Sequence, residues 1–463
     1  MSPIHDFATW EPLLRLLRDS NQERLAAPDG QVSGQISTDS WSVPVHRPSP
    51  PRGRAAQVDD MQAEFDAVER VRSALAEGGA EGVSFVAQIA PGGKAVLHLL
   101  DFGPAVQFGT GPYPGSLVLV EDAVPEPWRR LPEVVAGAAP APTADPALLE
   151  RVLRERLPDA VGATEREIAA AEDRLGMPLP EELRAVYRVT RAHWEDWGDD
   201  EAAEKHCRAV GCELLPLDEL YVADARSRSC LWEFGAMEAV VTPPDARVQG
   251  LVGSPGWIAF GDNGGGDRLA LDLTPGPRGH LGQIVMLSHE ENIGAELIAD
   301  SLTDLVAGRY RERGHGRGGD ETPAVARVNI RSLPSVRAAA HPALEVLGIG
   351  VRDDEPVGLA PVVGLPRLRT LSACPGTLAD PLEIAELTGL EFLELGPEEW
   401  RALLDADAVP RGLSAAAIEV RGDHDPLVIA DLANEILGLC DRPPIARTIV
   451  EGDLGPVGRG PRD

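Results

Sequence analysis

The apolar residues of the first 80 positions recur with a helical period. Residues 1–28 predict a short helix, and residues 60–76 predict a second one that Gly78-Gly79 ends. The apolar side of the first helix carries Trp10, Leu13, Leu14, Leu16 and Leu17. Between the two helices, residues 47–52 have the proline-rich composition of a linker.

The pattern then changes to short continuous apolar runs. Residues 83–90 and 95–100 are separated by Pro91-Gly92-Gly93-Lys94, which is typical of a β-hairpin. A third run covers residues 116–120. We therefore predict a small N-terminal α+β domain over residues 1–135, for which the sequence indicates no role.

The middle of the chain begins with two helices. Thr164 and Glu167 have the spacing of a capping box, and Gly176 is placed to end the helix that they start. A second helix is expected after Pro180, with acidic residues in its first turn.

Strands are expected next. Residues 257–260 form a buried-strand run, residues 261–267 a glycine-rich turn, and residues 268–273 a returning strand. Residues 283–287 predict a further strand, and residues 293–307 predict a closing helix.

This order of elements resembles the SUKH superfamily, which is named partly for fungal cell-wall-synthesis regulators of the Smi/Knr type. The resemblance covers residues 160–310 approximately. It rests on the helices at 165–176 and 179–189 joined by Met177-Pro178-Leu179-Pro180, on the strand–turn–strand at 258–267 followed by Asp272, and on Gly282-Gln283-Ile284-Val285 leading to His289-Glu290. Family members usually have an Asn-Gly turn after the second helix, where this chain has residues 190–197.

The resemblance implies a compact α+β domain without catalytic residues, which we place at residues 147–309. It also implies that bacterial relatives are immunity proteins that bind and neutralise toxins, many of them nucleases. A multi-domain α+β protein is the expected fold class.

A repeated pattern, L-x-x-L-x-L, marks residues 323–442. Its copies start at Val325, Leu344, Leu368, Leu390 and Leu413, which are 19 to 24 residues apart. This spacing resembles leucine-rich repeats and predicts a stack of short strands, with Asn329, Ser372 and Glu394 facing outward. An ordinary α/β domain is the alternative.

The remaining segments have linker or tail composition. Residues 136–146 and 310–322 are predicted linkers, and residues 443–463 are a predicted frayed tail.

The charge of the chain limits the classes of partner that it is expected to bind. The net charge is −31, and residues 161–310 carry 27 acidic against 13 basic residues. Such a field disfavours nucleic acid and anionic membranes as partners and attracts a basic protein, although solubility alone also explains it. The arginine bias favours a bacterial source. The N-terminus lacks a signal-peptide pattern, and five cysteines suggest no disulfide framework, so a cytoplasmic location is expected.

The most unusual polar cluster joins two tryptophans to a run of acids. Trp194 and Trp197 alternate with Glu195, Asp196, Asp199 and Asp200. This pattern is typical of an interface loop. The alternative is that the tryptophans are core residues beneath a solvated acidic loop, which is the commoner case. Asp262, Asn263 and Asp267 are further partner-binding candidates, although their spacing favours a tight turn over a calcium loop.

No motif for catalysis or cofactor binding emerges from the sequence. His206, Cys207, Cys212 and Cys230 lack the paired short spacings of structural zinc, and the glycine-rich runs do not match a phosphate-binding loop. We therefore expect no cofactor, no metal and no enzymatic activity. The leading hypothesis is an immunity protein that binds a basic toxin domain, and the alternative is a regulatory or scaffolding adaptor; the sequence does not fix the oligomeric state.

Overall fold

The chain folds into two compact units. The computed structural model describes residues 3–46, 61–109, 111–311, 323–352 and 355–456. The first unit combines Met1–Ala123 with Arg327–Asp463, and the second unit is Val124–Ala326. The N-terminal and C-terminal segments, which the sequence predicts as separate domains, thus belong to one unit.

The secondary structure follows in chain order. The N-terminal part of the first unit contains α1 (Phe7–Ser20), α2 (Gln22–Leu25), β1 (Val32–Ser37), β2 (Trp41–Ser42), α3 (Gln62–Gly78), β3 (Gly82–Ile89), β4 (Lys94–Asp101), β5 (Val106–Phe108) and β6 (Pro114–Val118). The second unit contains α4 (Glu126–Arg129), α5 (Pro146–Arg156), α6 (Glu165–Leu175), α7 (Glu181–Val189), α8 (Asp200–Val210), β7 (Glu213–Leu214), β8 (Tyr221–Val222), α9 (Trp232–Gly235), β9 (Trp257–Asp262), β10 (Arg268–Asp272), β11 (Gln283–Leu287), β12 (Glu296–Ala299) and α10 (Leu302–Val306). The C-terminal part contains β13 (Val325–Val328), α11 (Val336–Ala339), β14 (Val346–Ile349), β15 (Thr370–Ala373), β16 (Phe392–Leu395), α12 (Pro397–Asp405), β17 (Ala415–Ile418), α13 (Pro426–Gly438) and β18 (Ala446–Asp453).

One sheet of the first unit has the order β18-β4-β3-β1-β2 among the described strands. The predicted hairpin is confirmed as the antiparallel pair β3–β4. Apolar side chains of α1 and α3, including Trp10 and Val71, share a buried core with Phe85 of β3 and Leu97 of β4. The helical period of residues 1–28 and 60–76 therefore predicted the face that covers this sheet.

The predicted frayed tail contains a strand. β18 pairs antiparallel with β4 from Ala446 opposite Asp101 to Asp453 opposite Lys94. The prediction of fraying was wrong for these eight residues, because pairing with β4 satisfies backbone groups that a frayed tail would leave to solvent. Residues 457–463 lie outside the described part of the chain.

A second sheet joins both ends of the chain. Its order in the described residues is β13-β14-β15-β16-β17-β6-β5. β14 to β17 are parallel neighbours, and Leu347, Leu371, Leu393 and Ala416 lie opposite one another in adjacent strands. The L-x-x-L-x-L pattern predicted these strand positions, while the leucine-rich-repeat assignment itself stays a prediction. β6 pairs antiparallel with β17, so the run at 116–120 does not join the N-terminal hairpin.

The second unit is a sheet covered by helices. β12-β11-β10-β9-β7 follow one another, and β8 also pairs with β9. One core joins Ile168 and Leu183 of the helices to Phe260 and Leu271 of the sheet, and a second core contains Trp257 on the other face. Apolar side chains therefore line both faces of this antiparallel sheet.

The ends of the first two predicted helices in this unit are confirmed. The side-chain oxygen of Thr164 accepts a hydrogen bond from the Glu167 amide (3.3 Å), and the Glu167 carboxylate accepts one from the Thr164 amide (2.7 Å). Gly176 ends α6 in the left-handed region, with φ of 71°. The capping box and the glycine stop thus form as the sequence predicts.

The predicted helix at 293–307 is wrong over its first half. β12 occupies part of this stretch and pairs with β11, with Ile284 opposite Ala299. Ser301 then caps the short helix α10 by accepting a hydrogen bond from the Asp304 amide (3.0 Å). Tertiary pairing with β11 therefore overrides the local helical pattern.

The predicted linker at 136–146 is packed on the second unit. Pro140 forms a parallel β-bridge with Leu281, the Leu281 amide donates to the Ala139 carbonyl (3.0 Å), and Ala141 is buried. The linker interpretation is wrong here because these backbone groups have partners within the unit. Residues 47–52, and residues 312–322 of the other predicted linker, lie outside the described residues. Among the helices of the described segments, none combines the length and apolarity that crossing a membrane requires.

Candidate protein-binding surfaces

The two tryptophans lie on a loop between α7 and α8, which we call the tryptophan loop (residues 190–199). Trp194 is 55% exposed, whereas Trp197 packs against the core of the second unit. Their ring centroids are 6.0 Å apart in an edge-on arrangement, and Trp197 also lies 5.3 Å from the His206 ring of α8. The interpretation of both tryptophans as core residues is therefore wrong for Trp194. The Trp194 ring contacts the Trp197 ring, which itself packs against the core.

The loop backbone is fixed by its own side chains. Arg191 donates to both carboxylate oxygens of Asp196, at 2.6 and 2.8 Å. The Arg191 guanidinium lowers the pKa of the Asp196 carboxyl. Asp199 caps α8 by accepting a hydrogen bond from the Ala202 amide (2.9 Å). Ala192 has a left-handed backbone, with φ of 59°, close to where family members usually have Asn-Gly.

The predicted acids of the loop thus divide into two groups. Asp196 and Asp199 hold the loop in shape through the bonds just described. Glu195 is 82% exposed, with His193 at 3.9 Å, and Asp200 is exposed in the first turn of α8. Glu195, next to Trp194 in sequence, and Asp200, in the first turn of α8, therefore present negative charge to solvent.

A groove of about 350 Å³ lies next to the loop. Ala170, Ala171 and Leu217 give it apolar walls, and Arg191 and His193 also line it. Neither Arg191 nor His193 is among the site residues predicted from the sequence. Arg191 and Asp196 lie five positions apart in a loop, a spacing that gives no recognisable sequence signal.

The second candidate group, Asp262, Asn263 and Asp267, closes the turn between β9 and β10. The Asp262 carboxylate accepts a hydrogen bond from the Gly264 amide (2.5 Å) and forms an ion pair with Arg268. Asn263 accepts bonds from the amides of Gly265 (2.7 Å) and Asp267 (3.1 Å). The turn prediction is confirmed, and Asn263 is bonded within the turn itself.

Asp267 connects this turn to the end of β11. Its carboxylate accepts hydrogen bonds from the His289 amide (3.0 Å) and from Asn263 (2.8 Å), and His289 Nδ1 lies 2.7 Å away. These bonds, the one from the His289 amide first, lower the pKa of the Asp267 carboxyl. The carboxylate therefore acts as a bracket between β10 and β11.

The tryptophan loop and the glycine turn are separate surfaces. Asp199 caps one end of α8, while Glu213, just beyond the other end, lies opposite Asp262 in the β7–β9 pair. A helix of 11 residues is about 16 Å long. The structure therefore does not bring the acids of the loop and those of the turn into one cluster.

The third candidate group lies on the parallel sheet of the first unit. Ser372 and Glu394 are register partners, and the Ser372 hydroxyl donates to the Glu394 carboxylate (2.5 Å). Asn329 instead follows β13 and accepts hydrogen bonds from the amides of Arg331 (2.8 Å) and Ser332 (3.0 Å), so it forms a turn. The structure brings Ser372 and Glu394 together, and it gives Asn329 a local backbone role.

Three further polar residues near Ser372 and Glu394 are absent from the sites predicted from the sequence: Cys374, Glu419 and Arg421. Arg421 forms an ion pair with Glu419 and donates to the Cys374 sulfur (2.9 Å). Burial first, and the Glu419 carboxylate next, raise the pKa of the Cys374 thiol to about 11. A thiol with this pKa is protonated at neutral pH, which makes it a poor nucleophile.

The cysteines of the second unit show no metal-binding arrangement. Burial raises the pKa of the Cys212 and Cys230 thiols to about 12. Over the ranges that the structure describes, no group of three His, Cys, Asp or Glu side chains could hold a metal ion.

The comparison with known families concerns the second unit. Residues 162–308 match the SMI1 / KNR4 family (SUKH-1). These residues include the tryptophan loop, the glycine turn and the six strands β7 to β12. The resemblance to the SUKH superfamily that the helix pair and the glycine turn predicted is therefore confirmed. We call residues 162–308 the SUKH-1 segment.

Curated relatives match parts of this chain. The chain is 32% identical over 94 residues to the "Glucan synthesis regulatory protein" of Neurospora crassa, which is 19% of this chain and 18% of the relative. It is 26% identical over 159 residues to the "Cell wall biosynthesis/cell cycle regulator smi1" of Schizosaccharomyces pombe, which is 32% of this chain and 30% of the relative. The chain thus spans less than a third of the length of these relatives.

Proposed function

We propose that this chain acts by binding another protein and not by catalysis, with the tryptophan loop as the contact surface. The observation that carries this proposal is the 55% exposure of Trp194 on a loop that Trp197 and the Arg191–Asp196 pair hold in place. Tryptophan is enriched among the residues that dominate binding energy at protein interfaces. A fixed loop also loses little conformational freedom on binding.

The charge around Trp194 supports a basic partner. Glu195, which follows Trp194 in sequence, and Asp200 are exposed, and residues 161–310 carry 27 acidic against 13 basic residues. Complementary charge speeds association and selects partners. A nuclease toxin has a basic active surface, so an immunity protein that covers such a surface is the function that we favour.

A regulatory or scaffolding adaptor is the second candidate. The matching relatives are named as a glucan synthesis regulatory protein and a cell wall biosynthesis/cell cycle regulator. An adaptor needs more than one contact surface, and the polar face around Ser372 and Glu394 would supply a second one in the other unit.

The test is a pull-down from cells of the source organism, followed by affinity measurements on the recovered partner. Trp194→Ala should weaken binding by about 10-fold or more. Phe234→Ala is the matched control, because Phe234 is 52% exposed elsewhere in the second unit. Equal binding by the wild type and both variants would contradict the tryptophan loop as the contact surface.

The identity of the partner separates the two candidates. If the partner is a toxin, one equivalent of this chain should abolish its activity. If the partner is a host protein whose activity continues in the complex, the adaptor is the better description. Both readings expect weaker association at high salt, since screening removes the charge attraction.

A further inference from the structure

β18 is an edge strand of eight residues. It comes first in the order β18-β4-β3-β1-β2, and β4 pairs with it along its whole length. On its other side, β18 pairs with none of the described strands. Among the described residues, no backbone hydrogen bond other than those to β4 involves residues 446–453. Open edges of this length offer a template for pairing with another strand.

The sequence of β18 is complementary to itself. In antiparallel pairing of two copies centred on Ile449, Arg447 of one copy lies opposite Glu451 of the other, and Thr448 lies opposite Val450. The two-fold symmetry produces each of these pairs twice. Cross-strand pairs of opposite charge stabilise a sheet, whereas like charges destabilise it.

The side chains that this pairing uses are accessible. Arg447, Ile449 and Glu451 alternate along the strand and so lie on one face, and all three are exposed, Ile449 by 54%. Arg447 donates from Nε (3.1 Å) and Nη2 (2.9 Å) to His98 Nδ1 on β4. Its Nη1 group can therefore still donate to Glu451 of a second copy.

We propose that two copies of this chain associate through antiparallel pairing of β18, which joins their sheets into one continuous sheet. A second copy is the occupant that the charges select, because an unrelated strand would match both Arg447 and Glu451 only by coincidence. Each copy carries a net charge of −31, so two copies repel each other. Salt screens this repulsion, so the dimer should form at physiological salt and weaken when salt is removed.

Charge reversal provides the test in the full chain. Arg447→Glu places two pairs of glutamates opposite each other, and Glu451→Arg places two pairs of arginines opposite each other. We expect each variant to raise the dimer dissociation constant about 10-fold or more by sedimentation velocity, and the double variant to restore it. Val134→Glu is the control, because Val134 is 98% exposed and belongs to the second unit, which does not contain β18. Glu451→Arg leaves the Arg447–His98 contact intact, so its effect does not depend on loss of folding.

A cross-link gives a second readout. In the proposed pair, the two Ile449 residues face each other with Cα atoms about 4.5–5.5 Å apart, within the range of a disulfide. Ile449→Cys should give an oxidised dimer linked between the two cysteines at position 449, and Val134→Cys should not.

Three outcomes would overturn the proposal. The first is a chain that is monomeric up to high micromolar concentration at physiological salt. The second is a dimer that the changes at positions 447, 449 and 451 leave unaltered. The third is a dimer that forms only after removal of residues 457–463, because the edge would then belong to the chain's own end.

Discussion

Asp272 is fully buried in the SUKH-1 segment. Its carboxylate accepts hydrogen bonds from the Trp257 indole (2.9 Å), the Gln283 amide group (2.8 Å) and the Thr274 backbone (2.8 Å). Burial nevertheless outweighs these bonds and raises the pKa of Asp272 to about 6. The residue therefore ties β9, β10 and β11 together and carries a pH dependence.

Asp272 should make the protein less stable as pH rises from about 4 to about 6. The folded-state pKa lies above the ordinary value of 3.8, so protonation favours the folded state. The contribution of Asp272 to the free energy of unfolding should fall by up to about 3 kcal/mol over this range. Asp272→Asn removes this dependence, and urea unfolding of both proteins at pH 4 and pH 7 measures the difference.

Asp218→Asn provides the control for this measurement, because Asp218 is exposed. Asp218→Asn should keep the loss of stability with rising pH that Asp272 produces. If Asp272→Asn kept it as well, the raised pKa of the Asp272 carboxyl would be contradicted.

The roles of individual residues were harder to predict than their presence. Composition alone identified the tryptophan loop, and local spacing identified the Thr164–Glu167 capping box. The division of the loop acids depended on partners at other spacings, such as Arg191 for Asp196. His289 lies 22 residues after Asp267, so only the folded β10–β11 pair brings them together.

At the scale of elements, a buried carboxylate joins α7 to α10. Glu182 accepts hydrogen bonds from the amides of Leu302 (3.2 Å) and Thr303 (3.0 Å), and from the Thr303 hydroxyl (2.5 Å). α10 has five residues, so these donors form a large part of its free N–H groups. Glu182 therefore stabilises the start of α10 from a distant part of the chain.

Glu182→Ala should lower the free energy of unfolding of the second unit by about 2–3 kcal/mol, because it leaves buried donors without partners. Glu181→Ala is the matched control, since the neighbouring Glu181 side chain is 66% exposed, and it should change stability by less than about 0.5 kcal/mol. Thermal and urea unfolding of both variants measure the effect. Equal stability of the two variants would show that water replaces the Glu182 carboxylate.

The elements that the sequence predicted are those with a strong local pattern. α6, α7 and the β3–β4 hairpin carry their own start and stop residues, so their neighbours in space were not needed to find them. β12 depends on pairing with β11, and β18 depends on pairing with a strand 345 positions earlier at its nearest register pair, Ala446 and Asp101. Local periodicity contains no information on such partners.

A glutamine holds the segment before the SUKH-1 segment in place. Gln249 is buried, accepts a hydrogen bond from the Glu133 amide (2.8 Å) and donates to the Glu133 carbonyl (2.8 Å). Gln249→Ala removes both bonds, so the Glu133 amide should exchange with solvent about 10-fold faster or more. Hydrogen exchange read by NMR measures this rate, with Gln88→Ala, at an exposed position of β3, as the control. Unchanged exchange at Glu133 would mean that other contacts suffice to hold the segment.

At the scale of the whole molecule, the first unit is discontinuous in sequence. β4 pairs with β18 and β6 pairs with β17, so both of its sheets contain strands from either end of the chain. The second unit is continuous from Val124 to Ala326. The glycines and prolines that follow β18 give residues 443–463 the composition of a tail. The sequence therefore does not indicate that the first unit contains a strand from this segment.

Two truncations should therefore have opposite results. A fragment of residues 124–311 keeps both cores of the second unit and should fold alone, with an NMR spectrum that matches the corresponding signals of the full chain.

Removal of residues 443–463 deletes β18, which exposes one edge of β4 and removes Val450 and Leu454 from the core that contains Trp10 and Leu97. Loss of buried apolar side chains of this size costs several kcal/mol, a large fraction of the stability of a unit. The shortened chain should lose protection of α1, α3 and β3 in hydrogen exchange while the SUKH-1 segment keeps its protection. If the first unit stayed protected after the truncation, β18 would be an accessory strand, and the fold of the first unit would not depend on it.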